Sequence, residues 1–156
     1  MLPARSDRGL ERTERVDLTA TARLVTAELA PQAAANDVHV DLTADAPLVV
    51  EGDPVPLRHL LTNLIRNAIQ YNHPGGHVRV RLDASTMTVT NTGPHMPAER
   101  IPDLFEPFRR LDGDRTATTG HGLGLSIAAS IAAAHHATLT AHPGTEGGLS
   151  LTLHFP

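Results

Sequence analysis

The sequence predicts a two-layer α/β sandwich, in which a mixed, mostly antiparallel sheet carries helices on one face. Five to seven short segments alternate apolar and polar residues, which is typical of half-buried strands. Three longer segments space their apolar residues as an amphipathic helix does. Short turns join several neighbouring strands, which favours antiparallel pairing with the helices on one side. The 156 residues are about one domain, which is long enough to bury a hydrophobic core without disulfides or a structural metal.

The composition excludes several classes of function. Cysteine is absent, which excludes disulfides and thiolate metal sites. All 13 basic residues are arginine, which excludes a P-loop lysine or a Schiff base. A net charge of −4 and an aromatic content of 3% argue against nucleic acid and anionic lipid as partners. We therefore expect no nucleic acid and no direct membrane contact.

The first 15 residues alternate acids and arginines. Glu11 and Arg15 are four residues apart, a spacing that supports an exposed helix. We interpret 1–15 as a linker or the end of a preceding helix, and 16–156 as the globular domain.

The first helix of the domain is predicted over 20–35, capped by Asp17 or Thr19. Pro31 lies inside this range. Proline removes a backbone donor and clashes with the preceding turn. We expect it to kink or shorten the helix.

The second helix has the clearest start and the most regular apolar stripe. Asp53 supplies a capping carboxylate and Pro54 suits the first helical position. The helix should run to about Tyr71. A short helix is expected near 97–104 and another long one over 123–135. The alternating segments, each predicted as a strand, are 38–42, 48–50, 78–82, 87–90, 138–141 and 149–155.

Asn63 and Asn67 form the first candidate site. They are four residues apart on the predicted helix and so project from one face. Two amide oxygens at this spacing can coordinate a hard cation such as Mg²⁺. Two surface asparagines without a ligand would give the same spacing, so the pair alone does not distinguish a Mg²⁺ site from an ordinary helix surface.

Two further motifs involve glycine. Asn91-Thr92-Gly93 follows a predicted strand and either builds a turn or presents an amide to a base edge. Gly120, Gly122 and Gly124 lead from a polar segment into a helix, where free backbone N–H groups can approach phosphate.

The order of these motifs carries more information than any one of them. Paired asparagines on a helix, then Asn91-Thr92-Gly93, then Leu104-Phe105-Glu106-Pro107-Phe108, then the spaced glycines, resemble the nucleotide-binding domain of sensor histidine kinases. This domain belongs to the wider family of gyrase B, the 90-kDa heat-shock chaperones and the mismatch-repair ATPases. The resemblance covers about 16–156 and implies the same α/β sandwich.

The resemblance implies a role for each matching residue. Asn67 would be the principal Mg²⁺ ligand, supported by Asn63, and Tyr71 would line the nucleotide pocket. Asn91 stands where the family usually has an aspartate that accepts from the adenine amino group. Gly93 would let the backbone approach the base.

The same resemblance implies a flexible lid over ATP at 109–121, a segment almost without apolar residues. Within it, the residues expected to contact or hold the phosphates are Arg110, Arg115, Gly120, Gly122 and, just beyond it, Gly124.

The function implied is binding of Mg²⁺-ATP and transfer of its γ-phosphate to a histidine on a separate dimerisation domain. That domain would belong to the same or a neighbouring chain. No histidine here begins the His-Glu/Asp-x-x-x-Pro pattern of the family's acceptor helix, so the acceptor is expected elsewhere. The chain would then be the cytoplasmic part of a membrane-anchored bacterial sensor that signals to a response regulator.

Departures from the family pattern leave two alternatives open. Asn91 replaces a charged acceptor by a neutral one, at a cost of about 1–2 kcal/mol. Gln70, His95 and the run His135-His136-Ala137 also depart from the common pattern. The chain could therefore be a nucleotide-binding regulatory module without kinase activity. It could also be a serine kinase of the anti-sigma type, although Leu104–Phe108 argues against that.

Overall fold

The computed structural model describes residues 13–106, 121–145 and 147–156. These residues form seven strands and four α-helices. The strands are β1 (Glu14–Asp17), β2 (Val38–Ala44), β3 (Val49–Gly52), β4 (Gly76–Leu82), β5 (Thr86–Asn91), β6 (Thr138–Pro143) and β7 (Leu149–His154). The helices are α1 (Leu18–Ala35), α2 (Pro54–Gln70), α3 (Ile101–Leu104) and α4 (His121–Ala134), with a 3₁₀ turn at Ala98–Arg100.

The main sheet has five strands in the order β2-β4-β5-β7-β6. Strands β2 and β4 are parallel and all other neighbours are antiparallel. Along β4, Val78 and Val80 are buried while Arg79 and Arg81 are exposed. The sheet is therefore mixed, mostly antiparallel and covered on one face, which confirms the predicted fold class.

Strands β1 and β3 form a separate antiparallel pair, which the sequence did not predict. Glu14 and Arg15 belong to β1, so the helix expected for this part of 1–15 is wrong at these two residues. An exposed i,i+4 ion pair stabilises a helix by only about 0.5 kcal/mol. Pairing Val16 with Val50 and burying Val16 outweighs it. The assignment of 1–15 to a linker remains a prediction.

Helix α1 begins where Asp17 accepts a hydrogen bond from the Ala20 N–H at 3.1 Å. Thr19, the other capping candidate, is buried and accepts from the Leu48 N–H at 3.0 Å instead. The expected shortening of the helix at Pro31 is wrong, because the helix continues to Ala35. Pro31 lies on the exposed side of α1. The buried residues of the helix lie on its other face, with Leu29 before Pro31 and Ala33 after it.

Helix α2 is the central helix of the helical layer and packs against both α1 and α4. Its apolar stripe meets the inward side chains of the sheet, as its regular spacing predicted. The fully buried members of that stripe are Leu57, Leu60, Leu61, Leu64, Ile65, Ala68 and Ile69. The helix ends at Gln70, with Tyr71 as its C-cap residue. Side chains on this helix are consequently held at fixed positions over the sheet.

Candidate functional site

A pocket of about 320 Å³ opens beside the C-terminal ends of helix α2 and strand β5. Three segments that are distant in sequence form its wall. The lining residues are Tyr71, Asn91, Pro94, His95, Met96, Pro97, Arg100, Gly148 and Leu149. The wall is mostly apolar, with one buried amide and an exposed imidazole and guanidinium at its edge, which suits a flat ring system with polar substituents.

Asn91 is the polar group buried deepest in this wall, at 3% exposure. Its Nδ2 donates to the Thr92 carbonyl at 2.7 Å. Among the described residues, its Oδ1 has no hydrogen-bond partner. The amide is thus oriented so that a carbonyl oxygen, an acceptor, is available to whatever enters the pocket.

The turn that follows Asn91 is anchored to the end of helix α2. The Thr92 hydroxyl donates to Asn72 Oδ1 at 2.6 Å and accepts from the His77 N–H at 2.9 Å. Asn72 Nδ2 donates to the His77 carbonyl at 2.9 Å. This network holds the wall that carries Asn91 against the wall that carries Tyr71.

Two glycines allow this corner to close. A Cβ on Gly93 would lie 2.6 Å from the Tyr71 carbonyl oxygen. Gly148 has a φ of +74°, and a Cβ there would collide with the Asn91 carbonyl oxygen. Its N–H donates to the Pro94 carbonyl at 2.8 Å. The loop between β6 and β7 can therefore lie directly on the Asn91 turn only with glycine at both positions.

Sequence reasoning missed Gly148 and Arg100 as site residues. The pair Gly147-Gly148 before the last strand was a usable signal for Gly148, since paired glycines mark close backbone approach or positive φ. Arg100 had no such signal. It is one of 13 arginines and lies in no motif, and its guanidinium reaches Asp103 at 3.6 Å.

Asn63 and Asn67 lie on α2, eight and four residues before Tyr71, and so share its side of the helix. They are 9% and 4% exposed, which is low for asparagine. No described residue hydrogen-bonds to either amide side chain. They do not line the 320 Å³ pocket. They lie further from it, one and two turns before Tyr71 on the same side of α2.

The amide pair fits a hard cation that takes its remaining ligands from water and substrate. Amide oxygens are suitable ligands for Mg²⁺, which usually keeps several waters and binds substrate phosphates. No group of three or more histidine, aspartate or glutamate side chains among the described residues could hold a metal by itself. A cation at this position would depend on oxygens that a bound phosphate chain supplies.

Gly122 and Gly124 lie in the first turn of helix α4, as the glycine-rich helix entry predicted. Arg110, Arg115, Gly120 and all of the expected lid except His121 lie outside the described residues. Their phosphate contacts remain predictions. No helix in the described ranges is long and apolar enough to cross a membrane.

The comparisons with known proteins agree with this geometry. Residues 52–156 match the family model of the histidine kinase-, DNA gyrase B- and HSP90-like ATPases. The chain is 40% identical to the sensor protein CutS of Streptomyces coelicolor over 100% of its own length and 39% of CutS. It is 35% identical to the sensor protein VanSC of Enterococcus gallinarum over 86% of its length and 38% of VanSC. The chain thus spans about two fifths of these relatives.

Solved structures show the same fold. The catalytic domain of histidine kinase ThkA superposes with a TM-score of 0.80 at 24% identity, covering 93% of this chain and 95% of that one. The mycobacterial sensor histidine kinase MprB superposes with a TM-score of 0.79 at 25% identity, covering 93% and 97%. The chain therefore belongs to the histidine kinase-, DNA gyrase B- and HSP90-like ATPase family, in the branch formed by the catalytic domains of sensor histidine kinases.

Proposed function

We propose that this chain binds Mg²⁺-ATP and presents the γ-phosphate to a histidine on a separate dimerisation domain. The observation that supports this most is the set of three buried asparagines whose amide oxygens no described residue engages. Asn91 offers its oxygen in an apolar pocket, and Asn63 and Asn67 extend from that pocket along α2. A nucleoside triphosphate matches this arrangement, because it has a flat base at one end and a charged phosphate chain at the other.

The base would lie in the 320 Å³ pocket. Met96 and Leu149 would contact the faces of the ring, and Asn91 Oδ1 would accept from the adenine amino group. An amino group is a donor only, so it matches an amide held with its oxygen toward the pocket.

The phosphate chain would run toward Asn63, Asn67 and the first turn of helix α4. Asn67 would ligate Mg²⁺, with Asn63 in support, and the cation would neutralise charge on the phosphates. The backbone N–H groups at Gly122 and Gly124 would face the phosphates from the other side.

The transfer step needs an imidazole from another domain. One of its ring nitrogens would form a bond to the γ-phosphorus while the bond to the β–γ bridging oxygen breaks and ADP leaves. The chain described here would contribute positioning and charge neutralisation, which is the main part of catalysis in phosphoryl transfer. By itself it should bind nucleotide with little turnover.

The remaining partners are proposals of the same kind. The acceptor histidine would lie on the dimerisation domain of the same or a neighbouring chain. A response regulator would then take the phosphoryl group from the full-length protein, and this domain would lie on the cytoplasmic side of a membrane-anchored sensor. The names of the relatives, which are sensor proteins, support this placement.

Calorimetric titration of ATP and ADP, each with and without Mg²⁺, tests the binding step. The wild type should bind both nucleotides, and Asn67→Ala should weaken binding mainly when Mg²⁺ is present. Asn36→Ala is the matched control, because Asn36 is the C-cap residue of α1 and its amide donates only to the Gln32 carbonyl of that helix. Equal affinity and equal metal dependence in Asn67→Ala and the wild type would remove Asn67 from the site.

A second assay tests the transfer. The chain is mixed with [γ-³²P]ATP and a purified dimerisation domain from the CutS relative, and acid-labile label on that domain is measured. Radioactive phosphate on a histidine of that domain would support the proposed histidine kinase activity. Nucleotide binding without any label on the dimerisation domain would favour a nucleotide-binding regulatory module without kinase activity.

A further inference from the structure

His135 is the one buried imidazole among the described residues, and both of its ring nitrogens are engaged. It is 6% exposed. Its Nε2 accepts from the Asp53 backbone N–H at 3.1 Å, and its Nδ1 donates to the Ile131 carbonyl at 2.9 Å. An imidazole that accepts at Nε2 and donates at Nδ1 is neutral and carries its proton on Nδ1.

The Asp53 backbone N–H lies at the start of helix α2, before the ladder of i→i−4 hydrogen bonds begins. Asp53 is the N-cap of that helix. A local partner would be a glutamate or glutamine three residues later, which reaches back to the N-cap N–H in a capping box. This chain has Pro56 at that position. A ring 82 residues away in sequence supplies the acceptor instead.

The ring also packs against bare backbone. A Cβ on Gly52, the last residue of β3, would lie 2.7 Å from His135 Nε2. Any larger residue at Gly52 would therefore push the ring off the Asp53 N–H. Through this one side chain, the end of helix α4 contacts both the end of β3 and the start of α2.

These contacts connect the two helices that carry opposite sides of the proposed nucleotide site. Asn63 and Asn67 lie on α2, and Gly122 and Gly124 lie at the other end of α4. An α-helix is axially stiff over 14 residues, so a slide of α4 at His135 moves its glycines by the same amount. Displacements of about 1 Å at such sites can cost large factors in activity.

We propose that His135 is a positioning residue that holds helix α4 in register with the start of helix α2 and so sets the spacing between the glycine turn and the asparagine pair. This inference rests on the proposed binding of Mg²⁺-ATP.

Two substitutions of His135 distinguish its hydrogen bond with the Asp53 N–H from its hydrogen bond with the Ile131 carbonyl. His135→Gln places an amide oxygen near the Nε2 position and can still accept from Asp53. His135→Asn is shorter and keeps only the local bond to Ile131. His136→Asn is the matched control, because His136 is exposed and its φ of +61° is one that asparagine tolerates.

Mg²⁺-ATP affinity of the full chain is measured by calorimetry well below the unfolding temperature of each variant. His135→Gln and His136→Asn should bind within about twofold of the wild type, and His135→Asn about fivefold to tenfold more weakly. The ¹⁵N shifts of the wild-type ring should report the neutral tautomer protonated on Nδ1 at pH 7.

Four outcomes would overturn the inference. If His135→Asn binds as the wild type does, or if the Gln and Asn variants are weakened equally, His135 does not position the site through Asp53. A ring protonated on Nε2 would contradict the hydrogen bonds themselves. If the wild type binds no nucleotide, the proposed function fails and this inference with it. Weak binding confined to both His135 variants would leave the proposed function intact.

Discussion

The Thr92 hydroxyl donates to Asn72 Oδ1 at 2.6 Å, and this bond joins the two sequence motifs that form the pocket. Asn72 follows the C-terminal end of helix α2, and Thr92 follows Asn91 at the end of β5. Neither side chain lines the pocket. Both determine how the residues that do line it, Tyr71 and Asn91, are held relative to each other.

We expect Thr92→Val to destabilise the protein and weaken nucleotide binding together. Valine has nearly the shape of threonine, but it leaves the half-buried His77 N–H without its acceptor. The expected loss in the free energy of unfolding is about 1–3 kcal/mol, measured by urea denaturation. Thr88→Val is the control, because among the described residues the Thr88 hydroxyl makes no hydrogen bond. Equal losses in the two variants would contradict a role for the Asn72 bond.

Asn91→Asp should keep or improve ATP binding. A carboxylate accepts from the adenine amino group more strongly than an amide, but its charge must be desolvated at a position that is 3% exposed. The gain should therefore stay within about tenfold. Asn91→Leu should bind ATP more weakly than either, because the adenine donor is left unpaired.

The base preference follows from the same hydrogen bond. GTP presents a carbonyl where ATP presents an amino group, so it should bind the wild type more weakly than ATP does. Turning the amide to suit GTP would lose the bond from Nδ2 to the Thr92 carbonyl. Calorimetric titration of the three proteins with ATP and GTP measures both effects. ATP binding by Asn91→Leu as tight as that of the wild type would show that Asn91 is only a turn residue.

Two threonines on helix α1 should respond in opposite ways to the same substitution. Thr26 Oγ1 is buried without a hydrogen-bond partner among the described residues, whereas Thr19 Oγ1 accepts from the Leu48 N–H. Thr26→Val should leave the free energy of unfolding unchanged or raise it by about 1 kcal/mol, and Thr19→Val should lower it by about 1–3 kcal/mol. Thermal and urea unfolding of both variants checks the contrast. A loss in Thr26→Val as large as that in Thr19→Val would contradict it.

The turn between β4 and β5 should make stability depend on pH in the acid range. Hydrogen bonds from the Ser85 and Thr86 N–H groups, at 3.0 and 2.8 Å, lower the pKa of Asp83 below its ordinary value. A lowered pKa in the folded state means that the ionised form stabilises the fold above the unfolded pKa of about 3.9. That contribution is lost as the pH falls through the folded pKa.

Asp83→Asn tests this dependence. The wild type should be more stable than the variant at pH 7, and the difference should shrink steadily as the pH falls below about 4. Urea unfolding at several pH values between 2 and 7 measures it. A difference that stays constant over the whole range would show that the charge of Asp83 has no part in the turn.

The sequence alone was sufficient for the elements whose signal is local. The apolar stripe of α2, with Asp53 and Pro54 at its start, is a pattern of neighbours within a few residues. The alternation along β4 is another. The asparagine pair and the spaced glycines were also visible, because each is a short motif and their order along the chain is informative.

Tertiary structure decided what depends on residues that are distant in sequence. The pairing of β1 with β3 outweighed the helical charge pattern at Glu14 and Arg15. Helix α1 continues through Pro31, with Leu29 and Ala33 buried before and after it. The entry of Arg100 and Gly148 into the pocket depends on how loops meet. The bond from Asp53 to His135 spans 82 residues. Local spacing reports which face of an element is apolar, but it does not report which distant group meets that face.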